Sequence, residues 1–491
     1  MRPNLTVNYG VRYEYQPPDA SNVLPFPSVN RATVLTDPFQ KKVTVQPDRH
    51  NWGPRFGFSY APKFWSGLFG QDKTVIRGGF GVFYDAFFTN ISNNTAGTAP
   101  NTLGGNIVGP ATDSKGNPIR GTPGALEQLA AIAPIVDPTN LVEPVVSNLQ
   151  NPETLQWNLN IQRELPGKLI ADVAYVGTRG ERLWVNEQLN PVDFTTGMRL
   201  NPNKGSIVVR GNRGDSIYHG LQAEISRNVG RLSLRGSYTF SRAIDNQSEV
   251  FATSGGASRW EILNNPRSDR GPSAFDHKHR AVITWVYQLP SPNERVLKTI
   301  LGGWASAGSA SFTTGAPETV YLGGWDQNGD GEGFNDRPFL GNPRAPINDT
   351  PACLSIPTCV TGIGFDDGTG NLIDFIQALF TSNPTLPISR SQAHYIVFNQ
   401  GSGKNGNVGR NSIYFPGQQL WNLSAIKRFK VPFHESQVEF RADFFDAFNH
   451  ANLGANNLNG VGNILSPGFF ENFQTTKSNA RTIQLWMKYS F

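Results

Sequence analysis

The chain has 491 residues, with 43 Lys+Arg against 38 Asp+Glu, so its formal net charge is +5. A mean hydropathy of −0.36, and no apolar run near the roughly 20 residues that a membrane helix needs, exclude a helical membrane protein. The 32 Phe, 13 Tyr and 10 Trp can bury too much surface for a disordered chain. Because the basic residues are spread along the chain, we expect no nucleic-acid partner.

Alternation of apolar and polar residues is the dominant pattern, and it predicts strands with two different faces. From Leu155 to Ile161, for example, Leu, Trp and Ile alternate with Gln and Asn. In chain order the predicted strands are 4–15, 51–60, 74–85, 154–164, 168–177, 216–227, 231–243, 279–289, 303–315, 420–429, 436–446 and 480–491. The weakest is 303–315, which is mostly Ala, Ser and Gly, and one short helix is expected at 124–136.

The links between these strands alternate strictly in length. Short links fall at 61–73, 165–167, 228–230, 290–302 and 430–435, and long links at 16–50, 86–153, 178–215, 246–278, 316–419 and 447–479. All short links therefore lie at one end of the strands, as in an outer-membrane barrel with short periplasmic turns and long extracellular loops. A soluble sandwich gives no reason for this regularity.

The two faces of the strands agree with a membrane barrel. Charged residues such as Glu224, Arg235 and Asp443 lie in mid-strand on the polar face, which suits a water-filled lumen. Tyr and Phe gather near strand ends, as an interfacial aromatic girdle requires. The predicted fold is all-β: an antiparallel transmembrane β-barrel portion of about twelve strands in the bacterial outer membrane.

Several short motifs resemble those of the Oar-like TonB-dependent receptors. They are Asn151–Asn158 with Arg163–Gly167 and Ala174–Gly177, Tyr218–Gln222 with Tyr238–Ser241, Phe275–Arg280, Asn407–Asn411 and Phe444–His450. The resemblance implies a barrel that imports a large nutrient such as a glycan or peptide, driven by a TonB complex. Residues 1–491 are then expected to be the C-terminal part of the barrel, without signal, regulatory domain and plug.

Partners follow from this interpretation. Outer-membrane lipid should surround the barrel, and the terminal Phe491 behind alternating apolar residues resembles the signal that barrel assembly machinery recognises. The TonB complex is a partner only if the N-terminal part is present. The alternative is a plug-less adhesin or binding scaffold that acts through its extracellular loops. No nucleophile elbow or other catalytic arrangement occurs, so the protein is not expected to be an enzyme.

One loop has the spacing of a calcium site. Asp326, Asn328 and Asp330 offer oxygens at positions 1, 3 and 5 before Gly331, and Asp336 lies one place before position 12, where Arg337 replaces the usual Glu. The alternative is a polar Asn/Gly turn. No other cofactor is expected, and any bound calcium would brace the loop.

The remaining candidate residues are cysteines, histidines and aromatics. Cys353 and Cys359 predict a loop disulfide in an oxidising compartment, with two free thiols as the alternative. His277 and His279 are either a weak metal chelate or a polar cluster at a strand end. Trp260, Trp325 and Phe334 are candidates for stacking on a flat ligand, but the sequence assigns no ligand-binding residues.

Overall fold

The computed structural model describes most of the chain. The described residues are 4–15, 28–29, 47–64, 66–70, 72–85, 141–193, 195–250, 260, 265–348, 350–381, 385–430, 436–454, 462–466, 475–476 and 480–491. The helix predicted at 124–136 lies outside them. None of the helices within these residues is long and apolar enough to cross a membrane.

Twelve long strands form one antiparallel sheet in which chain neighbours pair. They are β1 (Leu5–Tyr13), β2 (Trp52–Tyr60), β3 (Thr74–Tyr84), β4 (Glu153–Leu165), β5 (Leu169–Gln188), β6 (Ile207–Val229), β7 (Leu232–Asp245), β8 (His279–Gln288), β9 (Trp304–Thr313), β10 (Gln418–Lys430), β11 (Gln437–Phe445) and β12 (Thr482–Ser490). Each corresponds to one predicted strand, so the all-β antiparallel prediction is confirmed. Among the described strands β1 and β12 are the two ends of an open sheet.

The strands β5 and β6 are longer than predicted. The sequence pattern ends at residue 177 and resumes at 216, but the pairing continues outward to Gln188 with Val208. The two-residue alternation disappears there because the hairpin leaves the membrane and is covered on both sides: Glu187 is 1% exposed and Val209 0%. The short strand Leu141–Val146 pairs with this extension in parallel.

The short links lie together at the periplasmic end of the strands. Two contain helices, α1 (Ser66–Phe69) and α2 (Arg295–Leu301). The link between β6 and β7 turns through Gly230 at a φ of 67°, a backbone conformation that favours glycine.

The register places apolar residues on one face of the sheet. Tyr175 pairs with Leu159 and Leu221, and Leu221 pairs with Phe240. These four side chains are 41–47% exposed, so they are available to lipid rather than buried in a core. The opposite face carries Arg235, Thr284, Ser309 and Asn422 in register, as expected of a lumen.

The link from β9 to β10 folds as a small domain, which we call the insert domain (residues 316–416). Its five-stranded sheet runs Phe339–Leu340, Tyr395–Phe398, Ile363–Asp366, Leu372–Asp374, Pro387–Ile388. Two helices, α3 (Thr350–Leu354) and α4 (Phe375–Phe380), pack beside it. Other short strands outside the barrel are Ser28–Val29, Val192–Asp193, Met198–Arg199, Gly271–Pro272, Pro317–Glu318, Ile413–Tyr414, Leu453–Gly454 and Thr475–Thr476.

The insert domain has its own hydrophobic core. The members are Val320, Leu322, Ile363, Phe375, Ile376, Tyr395, Val397 and Val408, together with Ile464 from the link between β11 and β12. Trp325 and Phe365 pack against Phe375 at ring-centroid distances of 4.9 and 4.7 Å. This extracellular segment was predicted only as a long link, because its strands of two to four residues are too short for a periodic pattern.

Adjacent residues of β8 test the assignment of faces. Ile283 is 40% exposed on the apolar face, and Thr284 lines the lumenal side. Replacing Ile283 with Arg near the middle of the strand should cost about 2–4 kcal/mol of membrane stability, while Thr284→Arg should cost far less. Urea unfolding of both variants in liposomes measures the difference. Equal losses would show that the faces are assigned wrongly.

Candidate functional site

The lumenal wall carries paired charges in the barrel strands. Arg235 contacts Glu224 at 2.8 Å across the β6–β7 hairpin. On β11, Arg441 contacts Asp443 at 2.6 Å, and Asp443 also accepts hydrogen bonds from Ser424 and Trp486 at 2.5 and 2.9 Å.

A cavity of about 430 Å³ opens on this wall. It is lined by polar side chains that include Arg235, Thr284, Ser309, Ser424 and Asp443. A surface of this composition contacts water and hydrophilic solutes at low cost, whereas lipid would leave its charges unsolvated. The wall can therefore accommodate a polar solute.

Arg410, in one of the motifs named above, anchors the insert domain to the outer rim of the barrel. Its guanidinium forms an ion pair with Asp245 at the end of β7. It also donates to the backbone oxygens of Asp245 and Asp269, at 2.8 and 2.7 Å, and to Ser248 Oγ at 3.2 Å. The next residue, Asn411, donates to the Pro272 carbonyl at 2.7 Å. Segments distant in sequence thus meet at this anchor.

The loop 326–337 joins several extracellular segments. Gln327 accepts from the Phe398 amide at 2.8 Å, and Asn335 donates to the Trp260 carbonyl at 2.8 Å. Arg337 pairs with Asp269 at 3.1 Å, with both side chains 5% exposed. Because the contacts of Asn335 and Arg337 both reach the link between β7 and β8, the loop fixes that link relative to the insert domain.

The four predicted calcium ligands lie in this loop without forming a metal cluster. Asp326 accepts from the amides of Gly329, Asp330 and Gly331 at 2.8, 3.1 and 3.0 Å, and Asp336 accepts from the Asn328 amide at 3.3 Å. Within the described residues, no group of three His, Cys, Asp or Glu side chains is placed to hold a metal ion. The geometry fits the polar turn better, and calcium binding stays a prediction.

The two cysteines lie together beside helix α4. The structure joins Cys353 and Cys359 in a disulfide. Gln377, which is 0% exposed, donates to the backbone carbonyls of Cys353 and Cys359 at 3.1 and 3.0 Å. The buried amide therefore holds the ends of the loop together from inside the domain.

His277 and His279 have different partners. His277 Nδ1 lies 2.7 Å from the Thr314 carbonyl, and His279 Nδ1 lies 2.8 Å from the Tyr238 hydroxyl. Asp276 is 1% exposed and forms an ion pair with Arg242 at 3.1 Å. The arrangement is that of a polar cluster at a strand end, and metal chelation stays a prediction.

The three candidate stacking aromatics separate in the structure. Trp260 is 2% exposed and donates to the Asn246 carbonyl at 3.0 Å. Trp325 packs in the insert-domain core and donates to the Phe398 carbonyl at 2.8 Å. The indole N–H groups of both tryptophans are thus bonded within the protein. Phe334 is 69% exposed and remains available to a ligand.

Glu318 is a residue that the sequence gave no reason to select. It lies in the short strand Pro317–Glu318, which pairs with Ile413–Tyr414 at the base of the insert domain. Burial raises the pKa of this carboxyl from 4.5 to about 7, and burial, with the nearby Glu318 carboxylate, raises the pKa of Tyr321. A Pro-Glu dipeptide in a long link looks solvated, and only the fold half-buries its carboxyl.

The anchor at Arg410 should carry much of the docking energy of the insert domain. Arg410→Ala leaves Asp245, which is 4% exposed, without its ion pair, and removing one partner of a buried pair costs about 3 kcal/mol. Pulse proteolysis of the insert domain in urea measures the loss. Arg270→Ala is the matched control: its pair with Asp215 is 41% and 43% exposed and should be worth less than about 1 kcal/mol. A similar loss for both variants would contradict the role of the anchor.

The stability of the insert domain should fall with rising pH. Because the folded pKa of Glu318 is about 7 and its ordinary value is 4.5, the folded state binds more protons than the unfolded state between these values. Stability should therefore decrease from pH 5 to pH 8 by roughly 3 kcal/mol. Urea unfolding followed at several pH values measures this slope. Glu318→Gln should flatten it, and an unchanged slope would assign the effect to other groups.

Comparison with known proteins agrees with this geometry. The profile of a family described as outer membrane beta barrel domain matches residues 1–484. A search of curated protein sequences finds no match. Among solved structures, the chain is similar to the outer membrane transporter YddB from Escherichia coli, with 10% identity, a TM-score of 0.41, and 90% of this chain and 40% of that chain covered.

Two further solved structures are also similar to nearly the whole of this chain. The ferric-catecholate import receptor Fiu from E. coli K12 gives 9% identity, a TM-score of 0.39, and coverage of 99% of this chain and 42% of that chain. The pyoverdine receptor FpvA from Pseudomonas aeruginosa PAO1 gives 10% identity, a TM-score of 0.40, and coverage of 91% and 37%. The chain thus spans about two fifths of the length of these proteins.

The match over residues 1–484 covers nearly the whole chain, and the observed strands have the lipid-facing and lumenal sides that such a barrel needs. This is a family of membrane barrels rather than of enzymes. The chain belongs to the outer membrane beta barrel domain family and is an outer-membrane protein.

Proposed function

We propose that this chain is the barrel portion of a TonB-dependent receptor that imports a large hydrophilic nutrient such as a glycan or peptide. The observation that carries the proposal is the lumenal wall, with its ion pairs Arg235–Glu224 and Arg441–Asp443. An anchor for the cell surface needs no charged lumen, whereas a path for a polar solute does. Energised import requires the TonB complex, and therefore a plug and TonB box elsewhere in the protein.

The extracellular links suit the capture step of import. The insert domain is held to the barrel rim through Arg410 and to the link between β7 and β8 through Arg337. Because these contacts fix the domain above the lumen, a ligand bound there lies at the lumen entrance. A preorganised surface of this kind also loses less conformational entropy when it binds a ligand.

Two partners belong to the same proposal. Outer-membrane lipid covers the apolar face, where Leu485 is 75% exposed. The barrel assembly machinery recognises the last strand, β12, through Phe491, which is 96% exposed and whose ring lies 5.8 Å from that of Tyr489.

Uptake in the producing bacterium tests the function. Cells lacking the gene are compared with cells carrying it for uptake of labelled oligosaccharides, oligopeptides and ferric siderophores, with and without the proton-motive force. We expect one class of solute to be taken up only with both the gene and the energy source. The double variant Arg441→Ala/Asp443→Ala should lower that uptake several-fold, and Arg270→Ala on the exposed rim should not.

Binding outside the cell without energised uptake would favour the alternative, an adhesin or scaffold that acts through its loops. Uptake of siderophores alone would support import by this protein but would contradict a glycan or a peptide as its ligand. Surface levels of each variant, measured by heat-modifiable migration on gels, separate a loss of transport from a loss of assembly.

A further inference from the structure

Two tyrosine–histidine pairs of the same construction lie at the outer end of the apolar face. The Tyr175 hydroxyl lies 2.7 Å from His219 Nδ1, and the Tyr238 hydroxyl lies 2.8 Å from His279 Nδ1. The ring planes are 16° and 25° apart. In both pairs the histidine lies on the neighbouring strand, two residues further out than the residue opposite the tyrosine. Such a repeat on two separate strand pairs indicates a recurring local design.

Strand length places these histidines at the outer membrane surface. His279 begins β8, which has 10 residues, and His219 is separated by ten positions from Val229 at the periplasmic end of β6. A tilted strand crosses the hydrocarbon layer in about 9–11 residues. Both imidazoles are exposed, and alternation with Leu221 and Ile283 puts them on the lipid side. They therefore lie where acyl chains give way to headgroups.

A groove beside His279 has the same amphipathic character. Its volume is about 510 Å³, and its lining includes Tyr238, His279, Phe312, Gln419 and His450. Gln419 Nε2 and His450 Nε2 are 3.2 Å apart at the outer end. Phe312 is part of the groove wall, and its ring lies 5.4 Å from that of Trp421. The groove thus offers aromatic surface to an acyl chain and polar groups to a headgroup.

The tyrosine hydroxyls prepare the imidazoles to donate. When a hydroxyl donates to Nδ1, the proton of a neutral imidazole lies on Nε2, which is then a donor facing away from the pair. Arginines on the same side of the rim are partly neutralised: Arg242 pairs with Asp276 at 3.1 Å and Arg179 with Glu181 at 2.6 Å. The donors that the groove itself offers to a phosphate oxygen are therefore the His279 imidazole and the Gln419 amide.

We propose that the groove at His279 binds the phosphorylated headgroup of an outer-leaflet glycolipid. Membrane lipid is the occupant because the groove opens on the face of the barrel that lipid covers, at headgroup depth. Phosphate oxygens accept from the His279 and Gln419 donors, and the first part of an acyl chain covers Phe312. This inference rests on the outer-membrane location and does not depend on nutrient import.

Lipid binding to protein purified from outer membranes tests the site. Native mass spectrometry is used to measure retention of bisphosphorylated lipid A, of lipid A without phosphates, and of the phosphorylated lipid in excess inorganic phosphate. We expect retention of the phosphorylated lipid only, with no displacement by inorganic phosphate. His279→Leu should weaken retention about tenfold, the value of one hydrogen bond to a charged group.

The matched control is Lys278→Gln, which removes a full charge from the adjacent residue on the opposite face of the strand and should leave retention unchanged. His279→Phe keeps an aromatic ring in the girdle and is the second variant if the leucine variant fails to assemble. Equal retention of lipid A without phosphates would overturn the proposal, as would unchanged retention by both His279 variants. Full displacement by inorganic phosphate would assign the site to a free anion instead of a lipid.

Discussion

Backbone amides and carbonyls inside a bilayer have no water to bond, so every one of them must be paired within the protein. The twelve-stranded ladder from β1 to β12 meets this constraint wherever consecutive barrel strands pair, and among the described strands only the outer edges of β1 and β12 lie at the ends of the open sheet. The other features of the chain follow from the ladder. Its pleat sends side chains alternately to lipid and to lumen, and the stretch of strand that crosses the membrane is set by the bilayer. Long links are confined to the end where water and space allow them.

Where the chain leaves the membrane, the stabilising interactions change in kind. The outer segments are held by buried polar contacts such as Arg410–Asp245 and Arg337–Asp269. Hydrogen bonds of this type demand exact partners, because an unpaired buried charge is costly. A network of this kind specifies one arrangement of the links above the lumen. The insert domain adds a conventional apolar core around Ile363 and Phe375, so the extracellular side combines both strategies.

The outer rim, where the membrane-spanning strands meet the extracellular links, carries several polar side chains with specific partners. The Tyr–His pairs, the anchor at Arg410 and the half-buried Glu318 all lie near the outer rim, where β7 and β9 end and β8 begins. At this level a side chain can face lipid, lumen or a folded link, depending on its position along the strand. The motifs that resemble those of TonB-dependent receptors also concentrate here. Their residues serve docking of the insert domain and positioning at the membrane surface, rather than catalysis.

Periodicity predicted the barrel well because each strand must alternate over about ten residues, and that pattern is local. All twelve strands were found in this way, including the weak strand β9. The outer halves of β5 and β6 were missed because a hairpin covered on both sides loses its alternation, as the burial of Val209 and Glu187 shows. Trp260 and Trp325 looked like exposed loop aromatics in the sequence. Nothing within a few residues of either one reveals the core or the carbonyl that it contacts.

The sequence by itself determined which residues cross the membrane, which side of each strand meets lipid, and which end carries the long links. These properties follow from an alternation that the bilayer imposes on each strand separately. Tertiary structure alone decided that residues 316–416 form a domain, that Arg410 reaches Asp245 across 165 positions, and that the Glu318 carboxyl is half-buried. Those outcomes depend on contacts between segments far apart in the chain, and no local pattern records which distant partner a side chain will meet.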